Sequence, residues 1–158
     1  MKALRNYGDG LKIDDNYEHP SFTSPGENEI IIKVHATAIT AAELTWPETV
    51  TRENPIPGHD VAGTIVSMGS KVAGFKEGDE VFALTSFSRE GSAAEYGMAS
   101  ASQVALKPTN LTWAEAASIP LAALTAKEAI WHAELKRGQK VLITGAGGRR
   151  VDKSRLWC

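Results

Sequence analysis

The sequence predicts a mainly β chain: a small antiparallel barrel or sandwich, followed by two helices and the first strand of a parallel sheet. Three observations carry that expectation. Short β-branched and apolar runs recur between glycine turns from Ile30 to Leu106, and strands that follow one another without an intervening helix favour antiparallel closure. At Pro108 the texture becomes alanine-rich and helix-favouring. Val141, Leu142 and Ile143 then form one continuous apolar run, as a strand buried on both faces would.

The first fifteen residues, MKALRNYGDGLKIDD, are too mixed to place an element firmly, although Ala3 to Tyr7 fits an edge strand. Ser24 to Asn28 is a turn cluster. After it, Ile30, Ile32, Val34 and Ala36 share one face of a strand while Lys33 and His35 occupy the other. Ile39 to Asn54 reads as a polar connection. Pro57 and Gly58 turn the chain into a strand that starts near Val61. Gly69 and Gly74 bracket a loop, and Gly78-Asp79-Glu80 feeds a strand from Val81 to Leu84. Ala94 to Met98 and Val104 to Leu106 are two further short strands.

Thr112 and Glu115 form a capping box, in which each side chain satisfies an exposed amide of a starting helix. That helix should stop before Pro120, because the residue ahead of a proline resists helical geometry. A longer helix follows from Leu121 to Leu135, with Lys136 and Arg137 at its basic end and Gly138 as its stop.

Composition narrows the function classes. At 158 residues, 42% of them hydrophobic and 23% charged, the chain can hold one domain with a real core or one domain plus part of a second. A net charge of −2 supplies no electrostatic pull toward nucleic acid or an anionic membrane. The basic run Arg149 to Arg155 lacks the interleaved aromatic residues of a nucleic-acid surface. No long apolar segment follows Lys2, so a soluble cytoplasmic protein without signal peptide or membrane anchor is expected. The single cysteine, Cys158, rules out an internal disulfide and a multi-cysteine metal site.

The segment KVLITGAGG, Lys140 to Gly148, organises the rest. A buried strand followed by Gly145, Gly147 and Gly148 opens a dinucleotide-binding βαβ unit, since glycines let the backbone turn and approach a pyrophosphate. Arg150 occupies the third glycine position of GxGxxG. The unit needs roughly 30 residues with an acidic residue about 20 positions further on, and the motif is left unfinished.

Four ordered blocks, PGENEIIIKVHATAI, PIPGHDVAGTIVSMGSKVAGFKEGDEVFAL, LTWAEAASIPLAALTAKEAIW and KVLITGAGG, resemble the N-terminal part of the medium-chain dehydrogenase/reductases, in the zinc-independent quinone oxidoreductase and enoyl reductase branch. The resemblance implies a GroES-like, partly open barrel over residues 1–119. Residues 120–148 would be the helix and first strand of a truncated Rossmann cofactor domain, and 149–158 an unrelated basic tail. It implies NADP or NAD as cofactor and a quinone or enone as substrate, with a homo-oligomer or partner subunit as further partner. It also implies that the lone chain is inactive. The alternative is a non-catalytic GroES-like fragment that binds or modulates another subunit.

In zinc-dependent members of that family a Gly-His-acidic triplet matching Gly58, His59 and Asp60 supplies a metal ligand and cysteines complete the site. No cysteine is present between Ile39 and Glu43, so no zinc is expected. The zinc-free branch carries an asparagine and an aspartate three residues apart, where this chain has Thr40 and Glu43. The resemblance assigns Thr40, Thr125, Gly145, Gly147 and Gly148 to the cofactor, and no side chain is assigned as a catalytic acid or base. Set against those readings, His59 is expected to hydrogen-bond a turn, His35 to be solvated, Thr125 to bond its own helix backbone, and Trp113 and Trp131 to pack their helices.

Overall fold

The computed structural model describes residues 1–8, 10–18, 24–46 and 52–143. Seven strands are present among them: β1 (Ala3–Asn6), β2 (Leu11–Asp14), β3 (Glu29–Ala38), β4 (Asp60–Met68), β5 (Glu80–Leu84), β6 (Tyr96–Ser100) and β7 (Val104–Leu106). Two α-helices follow, α1 (Trp113–Ala117) and α2 (Pro120–His132). Strands β3 to β7 form one antiparallel sheet in the order β6-β3-β4-β5-β7. The β1–β2 hairpin lies apart from it and is tied on by an Ala3–Ala94 bridge and the Leu4 N–H to Ala93 carbonyl bond of 2.7 Å. The chain is therefore mainly β, as the strand spacing predicts.

The core explains why these runs became strands. Ile30, Ile32, Val61, Ile65, Val81, Ala83 and Ala99 pack into one buried cluster, and each large side chain taken out of water contributes on the order of 2 kcal/mol. Strand β3 supplies the alternation expected of it, with Ile30 and Ile32 fully buried and Lys33 and His35 exposed. Ile31, on the other face, is buried as well. Helix α1 caps a second cluster, placing Ala116 and Ala117 against Ala62 of β4 with Phe82 and Trp113 at the edge.

Several expectations need correction. Strand β2 escaped notice because Leu11 and Ile13 face solvent, Ile13 at 70% exposure, so its pattern carries no buried face to detect. Part of the polar connection after Ile39 is a 3-10 turn, Ala41–Thr45. Helix α2 ends at His132, where Glu134 takes a left-handed φ of 47°. Gly138, φ 88°, instead closes a later turn with the Gln139 N–H on the Lys136 carbonyl. Trp131, expected to pack, is 74% exposed. Val141, Leu142 and Ile143 carry no strand. A strand exists only as a paired ladder, and among the described residues nothing pairs with this run, which leaves Leu142 89% exposed. Gly145, Gly147, Gly148 and the basic tail lie outside the described residues. Among the described residues no helix is long and apolar enough to cross a membrane.

Candidate functional site

The site is built on the turn into β4. Gly58 has φ +85°, a conformation open to glycine at little cost, and it presents its N–H to Glu43 Oε1. Glu43 reaches back with Oε2 to the Thr40 N–H at 2.9 Å. Its carboxylate is 1% exposed, and burial pushes its pKa above the usual carboxylate value, against the pull of those two amides. Glu43 is thus committed to the backbone on both oxygens.

His59 is equally buried. The Thr85 hydroxyl lies 3.1 Å from the His59 carbonyl, to which it can donate, and 3.2 Å from His59 Nδ1, a contact whose direction follows the ring's tautomer. Nε2 is buried and has no hydrogen-bond partner among the described residues. The ring stands edge-on to Phe87, centroids 4.7 Å apart, and Phe87 in turn meets Trp46 at 5.1 Å. Burial first, then the Arg52 guanidinium, lower the His59 pKa to about 4, with a Ser86 backbone bond pulling the other way. His59 is therefore neutral at physiological pH.

Asp60 completes the triplet. The first turn of α2 has no local cap, because its N-cap residue is Ile119. Asp60 Oδ1 fills that role from β4, accepting the Leu121 N–H at 2.6 Å. Thr125, one turn on, donates its hydroxyl to the Leu121 carbonyl at 2.7 Å. The two threonines singled out by sequence thus attach to the same tripeptide, Gly58-His59-Asp60, by separate routes: Thr40 through Glu43 and Thr125 through the first turn of α2. With its proton committed, Thr125 can offer a ligand only an acceptor oxygen.

Sequence reasoning named Asp60 only within the Gly58-His59-Asp60 triplet and not as a helix cap, and it missed Thr85 and Arg52. The missing local cap at Ile119-Pro120 was a usable signal for Asp60, whereas nothing local announces the other two. His35 is exposed as expected, but it also stacks on Trp113 at 4.4 Å and bonds Thr64 Oγ1 at 3.1 Å. Among the described residues no three His, Cys, Asp or Glu side chains converge as a metal site would require.

Comparison with known proteins places this geometry in context. A model described as the alcohol dehydrogenase GroES-like domain matches residues 26–114. The chain is 44% identical to a probable zinc-binding mitochondrial oxidoreductase of Arthroderma benhamiae, covering 77% of this chain and 40% of that protein. It is 38% identical to the 2-methylene-furan-3-one reductase of Solanum lycopersicum, covering 94% and 41%, and 35% identical to human quinone oxidoreductase, covering 94% and 46%. The chain spans less than half the length of these relatives. Among solved structures, an alcohol dehydrogenase superfamily protein from Novosphingobium aromaticivorans superposes with a TM-score of 0.86 at 27% identity, covering 98% of this chain and 48% of that one. A mycobacterial protein solved with NADPH superposes at 0.81 and 27% identity, covering 99% and 49%.

Proposed function

Because the chain belongs to the alcohol dehydrogenase GroES-like domain family, we propose that it is the substrate-side part of a zinc-independent, NAD(P)H-dependent oxidoreductase acting on quinones or enones. The relatives' names support oxidoreductase chemistry, and the NADPH-bound neighbour supports the cofactor class. In this reading residues 1–119 form the barrel domain, 120–148 lead into the cofactor domain, and 149–158 are a tail unrelated to either.

One observation supports the zinc-free branch above others. At the position where zinc-dependent members place a ligand, His59 has a hydroxyl, an aromatic edge and the Arg52 cation as neighbours. A dication gains nothing from that company, and it needs about three protein ligands. The zinc in one relative's name belongs to that relative.

A bound reduced nicotinamide supplies the hydride itself. This chain's share is position and polarity. Thr40 and Thr125 border the cofactor, Gly145, Gly147 and Gly148 hold its phosphates, and Asp60 fixes the angle of α2 that carries Thr125. The test is NADPH oxidation with p-benzoquinone or cyclohex-2-enone, with and without a chelator. Turnover that survives the chelator is the expected result for the protein completed by its second half. Turnover abolished by the chelator and restored by zinc would overturn the zinc-free assignment.

A second reading draws on the exposed apolar surface of Leu124 and Trp131 in α2 and of Leu142 beyond it, at 48%, 74% and 89% exposure. Such a surface suits capture of another subunit. Size-exclusion chromatography across a concentration series separates the two, since a monodisperse monomer at every concentration contradicts subunit capture.

A further inference from the structure

The β1–β2 hairpin has one edge in use and one open. Its turn fixes the ladder: the Tyr7 N–H donates to the Gly10 carbonyl at 3.0 Å, so these two are a hydrogen-bonded pair. In an antiparallel ladder such pairs alternate with pairs whose N–H and C=O groups point outward. With Asn6 opposite Leu11, Arg5 opposite Lys12 and Leu4 opposite Ile13, the outward pairs are Asn6 with Leu11 and Leu4 with Ile13. On the β1 side those groups are used: the Leu4 N–H donates to the Ala93 carbonyl at 2.7 Å and the Asn6 N–H to the Pro55 carbonyl at 2.9 Å. On the β2 side Leu11 and Ile13 turn theirs away from β1, and among the described residues no strand pairs with that edge. Both side chains are exposed as well. An edge of this kind is a template for another strand.

Charge selects the partner and the register. A second copy of β2, running antiparallel, can meet this edge centred on Leu11, Lys12 or Ile13, because each of these brings outward groups together. Centred on Lys12, the pairing sets Lys12 directly against Lys12 of the copy, and like charges so placed repel. Centred on Leu11, it sets Lys12 against Gly10 and gains no charge pair. Centred on Ile13, it sets isoleucine against isoleucine and places each Lys12 opposite Asp14 of the copy, twice over by symmetry. Those two positions are the closely spaced, non-hydrogen-bonded ones, where opposed side chains approach best. Asp14 Oδ2 already stands 3.4 Å from Arg5 Nη1, but a carboxylate has about four acceptor positions and can receive a second cation. The Lys12 ammonium lies 5.2 Å from the Tyr7 ring centroid, on the same face. We propose that the outer edge of β2 pairs antiparallel with β2 of a second copy of this chain, centred on Ile13, joining two hairpins into one sheet across a twofold axis. With four residues in each strand the contact is small, so the dimer should be weak and reversible. The inference does not depend on the reductase reading.

Sedimentation velocity of the full chain over a concentration series tests it, together with hydrogen exchange at the Ile13 amide. A monomer–dimer equilibrium is expected, with Ile13 exchanging more slowly as concentration rises. Lys12→Glu sets two acids against each other and Asp14→Lys two cations. Each should weaken association by about tenfold or more, through two lost charge pairs and two like-charge oppositions. An equimolar mixture of the two variants should recover association, because each then meets its complement. Should Asp14→Lys disturb the hairpin through Arg5, Lys12→Glu and the Ile13 exchange decide the matter, since Lys12 is exposed and leaves no gap in the core. Trp131→Glu in α2 should leave the dimer unchanged. A chain that stays monomeric, a dimer indifferent to Lys12→Glu, or a mixture of well-folded variants that associates no better than either alone overturns the proposal. So does a dimer lost on Trp131→Glu with no slowing of exchange at Ile13, which assigns the contact to α2.

Discussion

At Gly58 a side chain would meet two obstacles at once. The φ of +85° disfavours any Cβ, and a Cβ built there lies 2.5 Å from Thr37 Oγ1. That hydroxyl cannot move freely because it donates to the Asp60 carbonyl at 2.6 Å. Gly58→Ala should therefore lower stability by about 2–3 kcal/mol, seen as an earlier denaturant midpoint at unchanged slope. An unchanged midpoint would contradict the strain. His59 makes a separate prediction about pH. Its pKa is depressed in the folded chain to about 4 from 6.5, so its contribution is fully present above pH 6.5 and is lost as pH falls toward 4. The loss is on the order of 3 kcal/mol at most. Thermal melts across that window should show it, and His59→Gln should flatten the profile. Glu43 has the opposite sign, since its pKa is raised by burial: its contribution is present below the ordinary carboxylate value and is lost as pH rises through the folded one. Glu43→Gln should therefore make the rise in stability above pH 4.5 steeper.

Helix α2 depends on a residue of another element. Asp60 is 61 positions away from the Leu121 amide that it caps. Asp60→Ala should cost about 1–2 kcal/mol, and hydrogen exchange should quicken in the first turn of α2 before it does in β4. Uniform exchange across both elements would mean that the cap does not hold the helix. Local signals read well at this scale. The alternation of Ile30 to Ala36 placed β3, and Thr112 with Glu115 placed α1, whose box closes with the Thr112 N–H on Glu115 Oε2 at 2.8 Å. Elements whose cause is not local were misplaced. Strand β2 pairs with β1 while showing its leucine and isoleucine to solvent, and the run at Val141 has strand composition without a ladder. Of the site, family pattern marked Thr40 and Thr125. The Asp60 cap, the Thr85 hydroxyl beside His59 and the Arg52 charge that acts on it are products of long-range packing.

Across the whole molecule, the buried apolar clusters formed by the described residues draw on none beyond Ala117. Only Pro120 and Ala126 of α2 are buried. A fragment of residues 1–119 should therefore fold cooperatively with little loss beyond the α2 contacts, checked by comparing its melting profile and amide spectrum with those of the full chain. Failure to fold would show that the barrel leans on α2 more heavily than its burial indicates. The exposed apolar run Val141 to Ile143 gives the same division from the other side, because no described residue of the barrel covers it. The most direct measurement joins the chain at Gly148 to the second half of a quinone oxidoreductase relative and follows NADPH oxidation with cyclohex-2-enone in the presence of a chelator. Turnover that resists the chelator is the result predicted here. A fusion that melts cooperatively and binds NADPH, yet passes no hydride to the enone, would contradict the account.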